Sequence, residues 1–152
     1  MIYPSVDDVL ASVIDAVERE IAPSVGDDYA ASLCRTVAQM LRSVRVRVRE
    51  ETASLAEDNA ELRALLASSA DRLPDDVRGV VLDAVNRAPE PRYPALADLQ
   101  DDAVRLRSAL VSVINAVPDA ADPVREAVRG YLRRQLEREQ VWQQDAFTGP
   151  RR

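Results

Sequence analysis

The chain has no histidine and no lysine, a single cysteine at Cys34, and four glycines in 152 residues. The missing histidine excludes an imidazole base, Ser-His-Asp and Cys-His pairs, and histidine ligation of zinc or haem. The missing lysine excludes Schiff-base chemistry and the lysines of phosphate loops and kinases. One cysteine forms neither an internal disulfide nor a thiolate zinc cluster, so a reducing compartment fits. Gly26, Gly79, Gly130 and Gly149 are scattered, and no Gly-rich loop is available to cradle a phosphate. No metal site and no cofactor is expected. Catalysis would rest on Asp, Glu, Tyr, Ser and Arg alone, which makes an enzyme the disfavoured reading.

The opening MIYPSVDDVL lacks the basic region and apolar run of a secretory signal. No apolar stretch approaches the roughly 20 residues that a membrane-spanning helix needs. A cytoplasmic protein with no membrane partner is the expectation. The net charge of −6 and a pI near 4.8 argue against nucleic acid as a partner, because that binding rests on neutralising phosphates.

What is present is a globular composition, 47% hydrophobic and 30% charged, with every one of the 20 basic residues an arginine. Nine prolines fall outside the strongly periodic segments. Proline disrupts a helix interior but is tolerated in the first turn, so they punctuate helices. The first helix is predicted over about Val6–Ile21, with Ser5 as N-cap, Asp7 and Asp8 in the first turn and Ala22-Pro23 as the stop. A second starts near Asp27-Asp28 and carries Tyr29, Leu33, Val37, Met40, Leu41, Val44 and Val48 at helical spacing. VRVRVR at 44–49 has a period of two but continues that stripe and is read as helix.

Ser54 with Glu57 has the form of a capping box, predicting a break near 52–54 and a third helix over about 55–69. A fourth fits 75–88. A fifth, over about 95–116, has a heptad of Leu96, Leu99, Ala103, Leu106, Leu110, Val113 and Val117. Asp122-Pro123 starts a sixth that reaches about Gln143 and buries Val124, Val128, Tyr131, Leu132 and Leu136. No strand and no internal repeat is evident. The prediction is an all-α bundle of about six helices, the first two a long antiparallel hairpin. A single domain is expected over 1–144, with a sub-division near 70–94 and a flexible tail over 145–152.

Charge is unevenly spread. Residues 1–34 hold seven acids and one arginine; 35–49 hold five arginines and no acid; 50–61 hold five acids and no base. Arg35, Arg42, Arg45 and Arg49 share a stripe beside the apolar seam. In an antiparallel hairpin, Asp15 lies level with Arg35 and Asp8 with Arg42, while Arg45, Arg47 and Arg49 overhang the start of the first helix. Arg42, Arg45, Arg47 and Arg49 are therefore candidate contacts for an anion or a partner, set against the reading of a solvated face. Arg125, Arg129 and Arg133 form a second stripe, interleaved with acids as on an ordinary surface. Trp142 is either a clasp on the bundle or an interface anchor. Cys34 is expected as a small buried hydrophobe. Paired acids such as Asp101-Asp102 are assigned mainly to helix capping.

The run YPSVDDVLASVIDAVEREIAP, then DDYAASLCRTVAQMLRSVRVRV and the DNAELRALL block, resemble a family of small helical bacterial proteins of unassigned function. The likeness covers about residues 3–66 and contains no catalytic motif. The family's genes lie near those for aminoglycoside-phosphotransferase-like kinases and acyl-CoA-dehydrogenase-like enzymes. The resemblance implies a helper of a kinase acting on hydroxyacyl-CoA compounds. The expectation is a non-catalytic accessory subunit that binds a kinase-like or acyl-CoA-metabolising enzyme, or itself. The alternative is a small anionic-ligand or acyl-CoA binding module.

Overall fold

The computed structural model describes residues 4–87 and 94–146, with side chains through 140. All the regular structure among them is helical. There are five principal helices: α1 (Val6–Ala16), α2 (Asp28–Ser69), α3 (Asp75–Asn86), α4 (Leu96–Ala116) and α5 (Pro123–Ala146). Beyond α1 the chain passes through a π-helical turn at Val17–Ile21 into a last short turn at Ala22–Ser24. Pro23 therefore ends the helix about a turn later than expected. Ala70–Arg72 is a 3-10 turn after α2.

The starts follow local chemistry. The Ser5 hydroxyl accepts from the Asp8 amide at 3.2 Å while the Asp8 carboxylate accepts from the Ser5 amide at 3.1 Å, a complete capping box. Asp27 accepts from the Ala30 amide at 3.0 Å and Asp122 from the Val124 amide at 2.7 Å, so α2 and α5 are capped as well. At α4 half a box forms, with the Asp98 carboxylate accepting from the Ala95 amide at 3.0 Å.

One expected boundary is absent. The chain does not break near 52–54: the predicted second and third helices are one helix of 42 residues, so five principal helices replace six. The residues around Ser54, EETASLAE, include no proline or glycine, and Ala, Glu and Leu favour continuation. An N-cap would require a non-helical backbone and sacrifice hydrogen bonds that an uninterrupted helix keeps.

The chain divides instead into two compact units, Met1–Glu51 with Arg138–Arg152, and Thr52–Glu137. The first contains α1 and the N-terminal part of α2. Among its described residues only Ile14, Ala38 and Val46 are buried, and Cys34 is half-buried rather than enclosed. Tyr29, Leu33, Val37, Met40, Val44 and Val48, the stripe expected to face a core, are exposed, and so are Val6, Val9 and Val13 of α1.

The second unit has a full core. Leu62 and Leu66 of α2, Val81 and Ala84 of α3, Leu106, Leu110 and Val113 of α4, and Val124, Val128 and Tyr131 of α5 form one cluster. The predicted stripes of the last two helices are largely inward here. Leu132 packs at the edge of the cluster, whereas Leu136 is exposed, one turn beyond the buried part of α5.

Candidate functional site

In the first unit, every candidate arginine already has a carboxylate neighbour. Arg45 grips Asp7 with two hydrogen bonds, Nε to Oδ1 at 2.6 Å and Nη2 to Oδ2 at 2.8 Å. Arg49 reaches the same carboxylate at 3.8 Å. Arg42 donates to Glu18, and Arg47 lies 3.4 Å from Glu51 on its own helix. The expected overhang is thus corrected for Arg45 and Arg49. An arginine side chain spans more than a helical turn, so both reach back to Asp7 in the first turn of α1. Contact with Arg45 holds the Asp7 carboxyl below its usual value, against a smaller desolvation effect, with Arg49 adding to the lowering. Trp142 lies on α5, but its side chain is outside the described residues, as is the tail from 147.

The sequence reading missed a polar cluster in the second unit. Asp102, assigned to capping, sits inside α4 with 2% of its surface exposed. Arg63 Nη2 donates to both of its oxygens, at 2.8 and 2.6 Å, and Arg105 donates to Oδ1. Arg63 also donates from Nη1 to the carbonyls of Ala84 and Val85, near the C-terminal end of α3, where helical carbonyls lack their own donors. One guanidinium therefore ties α2, α3 and α4 together. Arg105 does the same for the carbonyl of Arg87 just beyond α3.

Asp58 is the counterpart on α2. It accepts from Arg107 Nη2 and from the Tyr131 hydroxyl, each at 3.1 Å. Burial, followed by the neighbouring Asp58 charge, pushes the Tyr131 phenol well above the ordinary tyrosine value. Burial pulls the Arg107 guanidinium down, but its contact with Asp58 outweighs that and leaves it raised. Asn59 Nδ2 donates to the Leu99 carbonyl at 2.8 Å, and Arg134 binds Glu61 at 2.6 Å.

These contacts reveal an internal repeat. LAEDNAELRALL at 55–66 and LQDDAVRLRSAL at 99–110 share the form Leu-x-acid-Asp-x-x-x-Leu-Arg-x-x-Leu. The Asp of each copy is held by the Arg of the other, Asp58 by Arg107 and Asp102 by Arg63. Pairing of 58 with 107 and 63 with 102 runs in opposite senses along the two helices, as in an antiparallel pair with a local two-fold. The signal was present in the sequence. Asp58 is three residues after Leu55 and four before Leu62, and Asp102 stands likewise between Leu99 and Leu106. A carboxylate on the inward stripe requires a buried partner, and the matching arginine lies in the other copy.

The cluster is a clamp between helices. Its carboxylates are occupied by arginines, and Asp102 is closed off from solvent. Among the described residues no group of three or more His, Cys, Asp or Glu is placed to hold a metal ion. No described helix is long and apolar enough to cross a membrane. Comparison with protein-family models, curated proteins and solved structures finds no match.

The remaining feature is the apolar face of the first unit. Tyr29, Leu33, Val37, Met40, Val44 and Val48 advance by four, four, three, four and four residues. At about 100° per residue they form a single stripe running for about 30 Å along α2. The stripe continues through Leu55, Leu62 and Leu66, where it enters the core of the second unit. Val37 is 45% and Met40 66% exposed, whereas Leu62 on the same stripe is 0%.

Proposed function

We propose that the protein is a non-catalytic interaction subunit that works through the apolar face of its first unit. The observation that carries this reading is the seam of α2, core-forming at one end and exposed over Tyr29–Val48 at the other. Scattered exposed apolar residues are ordinary on a protein surface, but a contiguous stripe of this length marks an interaction surface. The missing histidine and lysine, together with the arginine-bound buried carboxylates, favour a binding role over a catalytic one.

In this proposal α1 and the N-terminal half of α2 form an antiparallel hairpin. Two ion pairs support it: Asp7 with Arg45 and Glu18 with Arg42. The later acid takes the earlier arginine, which is the antiparallel sense. The partner is a kinase-like or acyl-CoA-metabolising enzyme in the cytoplasm, the class the resemblance implies, or a second copy of the chain. The alternative, an anionic-ligand or acyl-CoA module built on Arg42, Arg45, Arg47 and Arg49, is weaker, because a ligand would have to displace Asp7, Glu18 and Glu51.

The test is purification of the tagged chain from its own host beside Val37→Glu/Val44→Glu. Recovery of a kinase-like or acyl-CoA-handling enzyme with the wild type, and its loss with the double variant, supports the proposal. Turnover of an acyl-CoA or phosphoester by the isolated chain, abolished by one Asp or Glu substitution, overturns it.

A further inference from the structure

The apolar face is formed by two helices. On α1, Val6, Val9 and Val13 are exposed and cluster within one stripe, turned roughly 115° from the side that buries Ile14. On α2, the Tyr29–Val48 stripe is turned roughly 135° from the side marked by Ala38 and the arginines that reach α1. Viewed from each helix's own N-terminus, both rotations have the same sense. In the antiparallel hairpin proposed above, equal senses place both stripes on one face. The α2 stripe carries no charge from Tyr29 to Val44, and Arg47 stands only at its edge.

From this geometry we infer that the occupant of the face is a second copy of the chain, the two hairpins packing face to face as a four-helix assembly. Area is the first argument. The nine exposed residues together present on the order of 800 Å², which is what each partner of a standard stable interface contributes and more than the usual patch on a monomer.

Charge is the second. The α1 helix with its following turns, 6–24, carries five acids and one arginine, whereas 35–49 of α2 carries five arginines and no acid. A uniformly acidic partner is repelled by α1 and a uniformly basic one by α2. A second hairpin, related by a two-fold axis parallel to the helices, sets its net-acidic α1 beside the net-basic stretch of the first and the reverse. Since Arg42, Arg45 and Arg49 are turned to Glu18 and Asp7 of their own chain, the match is one of net helix charge and forms no new ion pair. The required pattern is present in the copy by construction.

This inference rests on the reading of the face as an interaction surface and specifies what covers it. The test is sedimentation equilibrium of the full chain, wild type against Val37→Glu/Val44→Glu and against Val9→Glu/Val13→Glu, with circular dichroism on each. Val104→Glu, at an exposed valine of α4 in the second unit, is the control. The expected result is twice the mass of the 16.8 kDa chain for wild type and control, and a single-chain mass for both double variants with helical spectra retained. A wild-type chain that is monomeric at every concentration overturns the inference. If that monomer still loses its enzyme in the Val37→Glu/Val44→Glu variant, the face belongs to the enzyme and the interaction reading stands. If partner recovery is also unchanged, both fail. A dimer that survives both double variants overturns the inference as well, since it lies on another surface.

Discussion

The two units draw on one helix and use it in contrasting ways. In the second unit the α2 seam is sealed by apolar side chains of α3, α4 and α5, and even its charges are paired inside, Asp58 with Arg107 and Asp102 with Arg63. In the first unit the same seam is bare, and the ion pairs are partly or largely open to water, with the Arg45 and Asp7 side chains 35% and 31% exposed. Apolar periodicity therefore indicates that a face is suited to burial without indicating what buries it. The difference is also energetic. Charges shielded from water must be matched or they destabilise strongly, whereas exposed pairs contribute little.

Breaking the clamp tests this contrast most severely. Asp102→Ala leaves Arg63 and Arg105 without their carboxylate and is expected to cost about 3–5 kcal/mol in urea denaturation. Replacing both partners, Asp102→Leu with Arg63→Met, should cost less than the single change, because the more buried guanidinium goes with the carboxylate and only Arg105, 31% exposed, is left without it. A single-variant loss below that of an ordinary surface substitution would show that the cluster is not a clamp.

The seam itself gives the next effect. Leu62→Ala is expected to lose about 3 kcal/mol through lost burial and a cavity. Val37→Ala, at an exposed position on the same stripe, should change the stability of the dilute protein by less than about 0.5 kcal/mol. Similar losses at the two positions would mean that the first unit conceals its seam in solution.

Smaller again is Tyr131→Phe, which removes one hydrogen bond from Asp58 and should cost about 1 kcal/mol at neutral pH. The folded-state phenol is raised above its unfolded value. Its contribution is therefore intact below the ordinary tyrosine value near 10 and is lost as pH rises beyond it. Melting temperature should fall more steeply above that pH in the wild type than in the variant. Equal alkaline slopes would place the hydroxyl in water.

The smallest effect belongs to the exposed pair. The folded-state Asp7 carboxyl is lowered, chiefly by Arg45, so its contribution is present above the unfolded carboxylate value and disappears as pH falls through the lowered one. Arg45→Gln should slightly flatten the acid limb of the melting profile and leave neutral stability nearly unchanged. A large neutral loss would make this pair structural and bring the two units closer in character.

Much of the fold was legible because it depends on local rules. Ser5, Asp27 and Asp122 cap helices where hydroxyl and carboxylate groups precede periodic apolar runs, and Leu99, Leu106, Leu110 and Val113 turn inward because their spacing selects one face. The clamp was less legible. Asp102 beside Asp101 resembles a capping pair until its place on the inward stripe of α4 is counted. The Ser54–Glu57 signal was misleading, since a capping box and a mid-helix Ser-x-x-Glu are spelled alike.

By itself the sequence determined the all-helical class, most of the helix starts, the uneven charge and the absence of the usual catalytic groups, since each follows from residue type and spacing along the chain. Only the tertiary structure decided that α2 runs unbroken from Asp28 to Ser69, that Asp58 and Asp102 find arginines in the opposite copy of a shared motif, and that Tyr29–Val48 remain exposed. Helical periodicity specifies a direction around a single axis, whereas burial and charge pairing depend on which other helices occupy the space in that direction.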